Sequence, residues 1–532
     1  MSTIYRIRLP RTPHMKNRDE FLLRVIEFGI LGLILFSPLP AASVFPWATT
    51  LIAIVSILLT ICYVLIGNKP EVNPLLVSRL RWPRYLFGGF LLYVAFQVTP
   101  LPVGLVKLLS PHAVALREAF SFRVGELGAV TLSLAPFHTI RQGLEMFSYI
   151  LIGFLVIQTV TTSEKIKRII YLCIGMGVFQ AFYGIFELFR GDPHILFMQK
   201  TVNLDKATGT FINQNHFAGF LEMIIPLALA LILARIDLFS LSGLNLKEKF
   251  LHITAKGFTS NVLALLCVFV MCLGLLLSRS RAAFFLVFLI FFLFIVMSLL
   301  YFGQLRRARP VVRTFLHVSF LGVLVIFLYM GIGSNLKRFE EEERFGGDRP
   351  QYWHNTVEMI GDFPLTGTGL GTFAFVYPAY EEENIYALLI HAHNDWLEYF
   401  SELGLVGMVF LLGGVLFLFI RSFSLWKIRR NAEIKGLGLG GLVALIVMGV
   451  HSIMDFNLHI PANMLLFTII LCLTTVVVHY GKRDLTPTSR TMEEETLLKK
   501  PQTADWESEY QVAVEDNLKP SQNRDFPEGE RE

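Results

Sequence analysis

Charge is scarce in this chain. Asp, Glu, Lys and Arg make up 17% of its 532 residues, whereas a soluble domain usually carries about a quarter to cover its surface. Hydrophobic residues reach 54%, and mean hydropathy is +0.55, so much of the outer surface must face lipid. A water-soluble enzyme of this length is excluded. Cysteine is also sparse: Cys62, Cys173, Cys267, Cys272 and Cys472 all lie inside apolar runs with no paired spacing. That excludes a disulfide framework and a thiolate zinc site. No cleaved leader is expected either. The basic N-terminus runs into an apolar stretch that holds Arg24 and Glu27 and has no small-residue cleavage site, so an uncleaved first helix is predicted.

What the chain has in quantity is apolar runs long enough to cross a hydrocarbon core, which takes roughly 17–25 residues. They fall near Phe21–Pro38, Phe45–Ile66, Tyr85–Leu105, Leu144–Val160, Ile169–Leu188, Phe211–Ala234, Asn261–Ser278 and Ala282–Phe302. Four more lie near Thr314–Ile332, Trp396–Ile420, Gly436–Met454 and Pro461–His479. The fold class expected is an all-α polytopic membrane protein of about twelve helices. Lys and Arg concentrate in short cytoplasmic loops, and with the N-terminus inside, six inner segments are basic. They are Arg6–Arg18, Lys69–Arg84, Lys165–Arg168, Lys247–Lys256, Arg306–Arg313 and Arg421–Lys435. Both termini are therefore predicted to be cytoplasmic.

The expected organisation is a cytoplasmic segment at 1–20, nine membrane helices over 21–332 and a large outer loop at 333–395. Three more helices follow over 396–480, and then a polar tail over 481–532. The tail is charged, poor in aliphatics and interrupted by Pro487, Pro501, Pro520 and Pro527, a composition that predicts disorder. A second outer segment, Pro100–Gly143, is of mixed character and suits an amphipathic helix lying on the membrane. Long loops of this kind tend to carry function.

Chemistry-bearing residues gather on the predicted outer side. Ser278-Arg279-Ser280-Arg281 breaks a long apolar stretch. Its arginines either snorkel to lipid phosphates or form an anion site, since a guanidinium grips phosphate bidentately. The loop places Lys337-Arg338 before Glu340–Glu343, then Arg344 and Arg349. Trp353, Val357 and Ile360 suit a short amphipathic helix that Arg349 begins. Cations are disfavoured at a helix start, which points these two arginines to a ligand or to pairing within the charged run.

Gly367-Thr-Gly369-Leu-Gly371 has the look of a dinucleotide fingerprint, but no strand precedes it, so tight turns or close backbone packing explain it better. The densest polar cluster is His391-Ala-His393-Asn394-Asp395, with Glu398 and Glu402 beyond. Asn394, Glu398 and Glu402 recur at helical spacing and share one face, which must look into the protein or a wet cavity. A histidine there can serve as a base near neutral pH; taken alone, a structural histidine is the plainer reading. Neither a His-x-x-x-His pair nor thiolates accompany it, so no metal is expected. Asn213-Gln-Asn215-His216 opens one helix, and His451–Pro461, with Asp455, Asn457 and His459, joins the last two. Each segment also suits ordinary capping and turn chemistry.

In their order and topology these segments resemble the O-antigen ligase / O-antigen polymerase superfamily of bacterial envelope proteins. The resemblance spans roughly Thr208–Pro461. Its most specific part runs from Arg349 and Trp353 through Pro364–Phe373 to His393-Asn394 and Gly404-Leu-Val-Gly407. It implies a GT-C-type glycosyltransferase of the bacterial inner membrane, inverting and metal-independent, with no cofactor. Such an enzyme moves a glycan from a polyprenyl diphosphate carrier, such as undecaprenyl diphosphate, to an acceptor hydroxyl on the periplasmic side. By that resemblance His393 is the base, and Arg281 and Arg349 bind the diphosphate. Arg279 is a second anion contact, because the register of the two Ser-Arg pairs is ambiguous. Asn394, Glu398, Asn213, Asn215, Asp455 and His459 support them. The acceptor is the lipid A core of lipopolysaccharide, a growing glycan or a protein; membrane lipids surround the chain and no nucleic acid is expected. The competing reading is a transporter or flippase of lipid-linked or anionic sugars. Against it, the polar residues collect at one boundary and no repeated half is visible.

Overall fold

The computed structural model describes residues 17–70, 80–119, 128–191, 194–235, 258–301, 321, 349–381 and 389–480. The ninth predicted helix (Thr314–Ile332) apart from Leu321, the run Lys337–Arg344, the inner segments Lys247–Lys256 and Arg306–Arg313, and the tail lie outside these. The long helices are α1 (Asn17–Phe36), α2 (Pro46–Val64), α3 (Arg81–Val98), α6 (Pro136–Thr159), α7 (Ser163–Arg190) and α8 (Gln214–Arg235). They continue as α9 (Phe258–Leu277), α10 (Arg281–Tyr301), α13 (Asp395–Ile428), α14 (Ala432–His451) and α15 (Pro461–His479). Each of these overlaps a predicted span, and α3 stops at Val98, short of the predicted Leu105, because Pro100 and Pro102 follow it. Among the described residues nine helices, all of these but α1 and α3, are long and apolar enough to cross a membrane. The chain is a multi-pass membrane protein.

Three helices form the inner column of the bundle. Almost all of α8 and most of α14 and α15 are buried by other helices rather than offered to lipid. Lipid gives no hydrophobic drive to press helices together, so close contact depends on small residues. Gly436 and Gly440 of α14 supply that contact. A Cβ at Gly440 would stand 2.4 Å from Cβ of Ala230, and one at Gly436 would stand 2.9 Å from the amide nitrogen of Ala234.

The segment predicted to hold an amphipathic helix contains two short ones, α4 (Val103–Leu109) and α5 (Pro111–Ala119). A two-residue antiparallel pairing of Leu101–Pro102 with Ala129–Val130 closes that segment, and His194–Ile195 with Met198–Gln199 forms a second such ribbon. The next helix starts earlier than its apolar run, at Pro136, because its first turns carry polar His138, Arg141 and Gln142. In the large loop, α11 (Arg349–Asp362) is the amphipathic helix expected there, and α12 (Phe373–Val376) is a single turn. Both pack with Val106, Ala113, Val130 and Leu132 in a small separate core.

The predicted single helix Trp396–Ile420 is interrupted. Within α13, Gly404 adopts φ 59° and ψ −173°, a conformation essentially confined to glycine. A break strands backbone groups that must find partners away from water, and the glycine-rich loop supplies them. Thr368 and Gly369 amides donate to the carbonyls of Ser401 and Glu402 at 3.0 and 2.9 Å. On the other side of the break, Leu405 and Val406 amides donate to the carbonyls of Pro364 and Leu365 at 2.9 and 3.2 Å. From α3, the Gln97 side chain donates to the Thr366 and Glu402 carbonyls, and the Tyr93 hydroxyl to those of Thr366 and Leu403. A Cβ at Gly367 would stand 2.2 Å from the Glu402 carbonyl oxygen. Close backbone packing is thus why glycines recur there.

Candidate active site

The chain order brings the starts of α8, α10, α13 and α15 to one end of the bundle, and α11 docks there too. Helix N-termini present unpaired amides and the positive end of the helix dipole, and the ends of α9 and α14 lie beside them with the opposite sign. Local capping fixes three of these starts, while α15 opens on Pro461 without a side-chain cap. The Asn394 side chain accepts from the amides of Trp396 and Leu397 at 3.1 and 3.2 Å, capping α13. Asn213 Oδ1 accepts from the Asn215 amide at 2.8 Å ahead of α8. The Ser280 hydroxyl accepts from the Ala283 amide at 3.4 Å in α10. Asn394 and Asn213 therefore act through backbone geometry.

Asp455, in the turn between α14 and α15, is the hub. Its side chain is 1% exposed. Oδ1 stands 3.1 Å from Nδ1 of His393 and accepts the Phe456 amide at 2.9 Å. Oδ2 accepts from the Asn215 side chain and stands 3.8 Å from Nη2 of Arg349. Arg349 also donates through Nη1 to the Met454 carbonyl at 2.9 Å. The structure thus collects His393, Arg349, Asn215 and Asp455, four residues singled out from the sequence, on one carboxylate. His216, not singled out as a site residue, faces the same group, with Nε2 3.8 Å from Oδ1. Burial pushes the Asp455 carboxyl up, but its contacts with His216 and His393 outweigh this and hold it well below the usual range. A carboxylate that stays ionised takes the Nδ1 proton of His393 as its hydrogen bond, leaving Nε2 to accept a proton.

His393 sits at φ 51°, a left-handed conformation that costs a non-glycine residue roughly 1–3 kcal/mol. The Trp353 indole donates to the neighbouring Ala392 carbonyl at 3.1 Å and ties α11 to the segment that holds it. The imidazole packs edge-on to Phe456 at 4.9 Å and keeps 26% of its side chain exposed.

Arg281 begins α10 at the same end and is partly exposed. Arg279, at φ 54° in the α9–α10 turn, reaches Asp205 at 2.9 Å in an exposed pair.

A second group of residues lies across Phe456. Glu398 accepts the Ala392 amide at 2.8 Å on Oε2, and Nδ1 of His391 stands 2.7 Å from its Oε1. His459 places Nδ1 2.6 Å from Asp395 Oδ1 and Nε2 3.4 Å from Glu398 Oε1. His391 stacks on Phe456 at 4.1 Å, and Tyr399 stacks on His459 at 4.2 Å. Burial opposes the charge on His459, but the Glu398 and Asp395 carboxylates outweigh it and raise the pKa to about 9. The locus therefore attracts positive charge. Glu398, His391, His459 and Glu402 line a cavity of about 340 Å³ together with Arg141 and Phe375. A larger, almost wholly apolar crevice of about 460 Å³ runs between α3, α6, α13 and α15, past Phe87, Phe154, Met408 and Trp396.

His216, His391 and Asp395 were visible in the sequence as neighbours of the polar segments, but nothing local set them apart from capping residues. Phe456 gave no signal, being one apolar residue in a polar turn.

Residues 266–412 match the family model described as O-Antigen ligase. The match takes in Arg279, Arg281, Arg349 and His393 and stops short of the turn that carries Asp455. No curated protein matches the chain.

Proposed function

We propose that this chain, whose residues 266–412 match the family model described as O-Antigen ligase, is a membrane glycosyltransferase that moves a glycan from a polyprenyl diphosphate to an acceptor hydroxyl. The observation that carries this reading is the His393–Asp455 pair, 3.1 Å apart, with Arg349 on the same carboxylate. In the reaction, Nε2 of His393 removes the acceptor proton while Nδ1–H stays on Asp455. The acceptor oxygen forms a bond to the anomeric carbon, and the bond from that carbon to the diphosphate oxygen breaks. A single displacement of this kind inverts the anomeric centre. The departing diphosphate carries the negative charge, which Arg349 and Arg281 neutralise with fixed guanidinium forks. Arg279 would join them only by giving up Asp205. A base so placed typically contributes about 10²–10⁴-fold.

The scheme needs no metal in the chemical step and no nucleotide, because the donor already carries its leaving group. That suits a site on the periplasmic side of the bacterial inner membrane, with both termini in the cytoplasm. The apolar crevice beside Trp396 offers a course for the isoprenoid chain. Lipid A core, a growing glycan and a protein all present the hydroxyl the base requires.

The test is complementation of a deletion strain, with envelope glycans resolved on a gel. Wild-type chain restores the glycan pattern; His393→Ala, inserted at normal level, leaves the deletion pattern with carrier-linked glycan accumulated. Normal glycans from His393→Ala would overturn the reading. Ladder collapse to single repeats in the deletion marks a polymerase, and loss of capped lipid with full-length carrier-linked glycan retained marks a ligase.

A further inference from the structure

The cluster across Phe456 from His393 takes no part in the displacement above, yet it is built with more care than packing requires. We infer that His391, Glu398 and His459 form a binding site for one divalent transition-metal ion, with zinc the best match to the donors.

One ligand atom from each residue lies within 4.8 Å of the other two. Two imidazoles and one carboxylate are the donor set zinc prefers, whereas calcium and magnesium select oxygen alone. His459 is oriented as metal-bound imidazoles usually are, with one ring nitrogen held by a carboxylate; the other would release its proton as the ion binds. Its Nδ1 is on Asp395 at 2.6 Å, and its Nε2 is buried without a hydrogen-bond partner. That Nε2 stands 3.4 Å from Oε1 of Glu398. Tetrahedral zinc with bonds of about 2.0–2.2 Å sets neighbouring ligand atoms about 3.3–3.6 Å apart. His391 and Glu398, 2.7 Å apart in their hydrogen bond, would open by about 0.6–0.9 Å as the ion replaces the shared proton.

Two observations independent of that geometry also call for a cation. Glu402 lines the same cavity, and its Oε2 is buried without a hydrogen-bond partner. With Asp395 and Glu398 it makes three buried carboxylates at one place, and buried carboxylates need compensating charge. The cavity of about 340 Å³ admits water for a fourth position. Sequence reading missed the site because His391 and His459 are far apart in the chain and no short spacing links them. An ion there would fasten the start of α13 to the turn that carries Asp455, and so hold that carboxylate against His393.

The test uses the full chain purified in detergent without chelator. Bound metal is measured by mass spectrometry, and after stripping with EDTA the protein is titrated with Co(II). The expected result is about one zinc per chain and, on adding Co(II), visible d–d absorption of four-coordinate cobalt that zinc abolishes. His391→Gln with His459→Gln should remove both signals, while His354→Gln, an exposed imidazole on α11, should leave them unchanged. Folded wild-type protein that holds no zinc and gives no cobalt spectrum would overturn the site. So would equal binding by the double variant, which would mark an adventitious ion. Neither readout depends on glycan transfer.

Discussion

The carboxylate of Asp455 meets the imidazole of His393 at 3.1 Å across 62 residues of sequence. Asp455→Asn keeps the shape but offers the ring a neutral group, which no longer fixes the tautomer or stabilises the imidazolium. Transfer should fall by about 10²-fold or more, with donor KM little changed. A variant within a few-fold of wild type in a reconstituted assay would remove Asp455 from the mechanism.

The three arginines should separate. Arg349→Lys and Arg281→Lys keep charge but lose the planar fork, so each should lower transfer at least about tenfold and raise donor KM. Arg279→Ala removes an exposed pair with Asp205, of a kind worth roughly 0–1 kcal/mol. It should leave the rate within about twofold. Equal losses for all three, measured side by side, would contradict this ranking.

Acid should weaken the hub in a defined direction. The Asp455 carboxyl in the folded chain lies well below its usual range, against about 3.9 in an unfolded chain. Its contribution is therefore fully present above about 3.9 and lost as pH falls through the folded value. The thermal stability gap between wild type and Asp455→Asn should hold constant from pH 7 to 5 and shrink below about pH 4. A gap that widened on acidification would reverse the assignment.

The break in α13 should tolerate no side chain. Gly367→Ala adds an atom 2.2 Å from the Glu402 carbonyl oxygen at φ +64°, so folded yield in detergent should drop sharply. Gly404→Ala adds strain of about 1–3 kcal/mol and meets the Leu365 carbonyl. Gly32→Ala and Gly175→Ala, with open space around the position, should be neutral or stabilise by about 0.5–1 kcal/mol. Loss of folded protein in the last two would show that glycine matters here for another reason.

The membrane helices were legible because an apolar run of sufficient length has few other uses in a chain. Positions within runs were legible where polarity changed sharply, as at Pro461, and not where a helix began with a polar turn, as at Pro136. The interruption at Gly404 was not, because Gly404-Leu-Val-Gly407 reads as ordinary membrane-helix composition; only the carbonyl and amide partners from 364–369 reveal it. At the site, residue types and their shared end could be read from the pattern, since ionisable groups seldom sit at a membrane boundary without cause. Pairings could not. That Asp455 belongs to His393, and Asp395 to His459, depends on how the α14–α15 turn seats over the start of α13, which no local spacing records.

One aromatic ring in that turn borders three imidazoles. Phe456 lies 4.5 Å from His216, 4.1 Å from His391 and 4.9 Å from His393. A tilt of this ring is therefore felt on both of its sides at once. The phenyl group is a wall shared by the base and the neighbouring cluster, so a change of this one apolar side chain alters the packing of His391 and His393 together while leaving every polar atom in place.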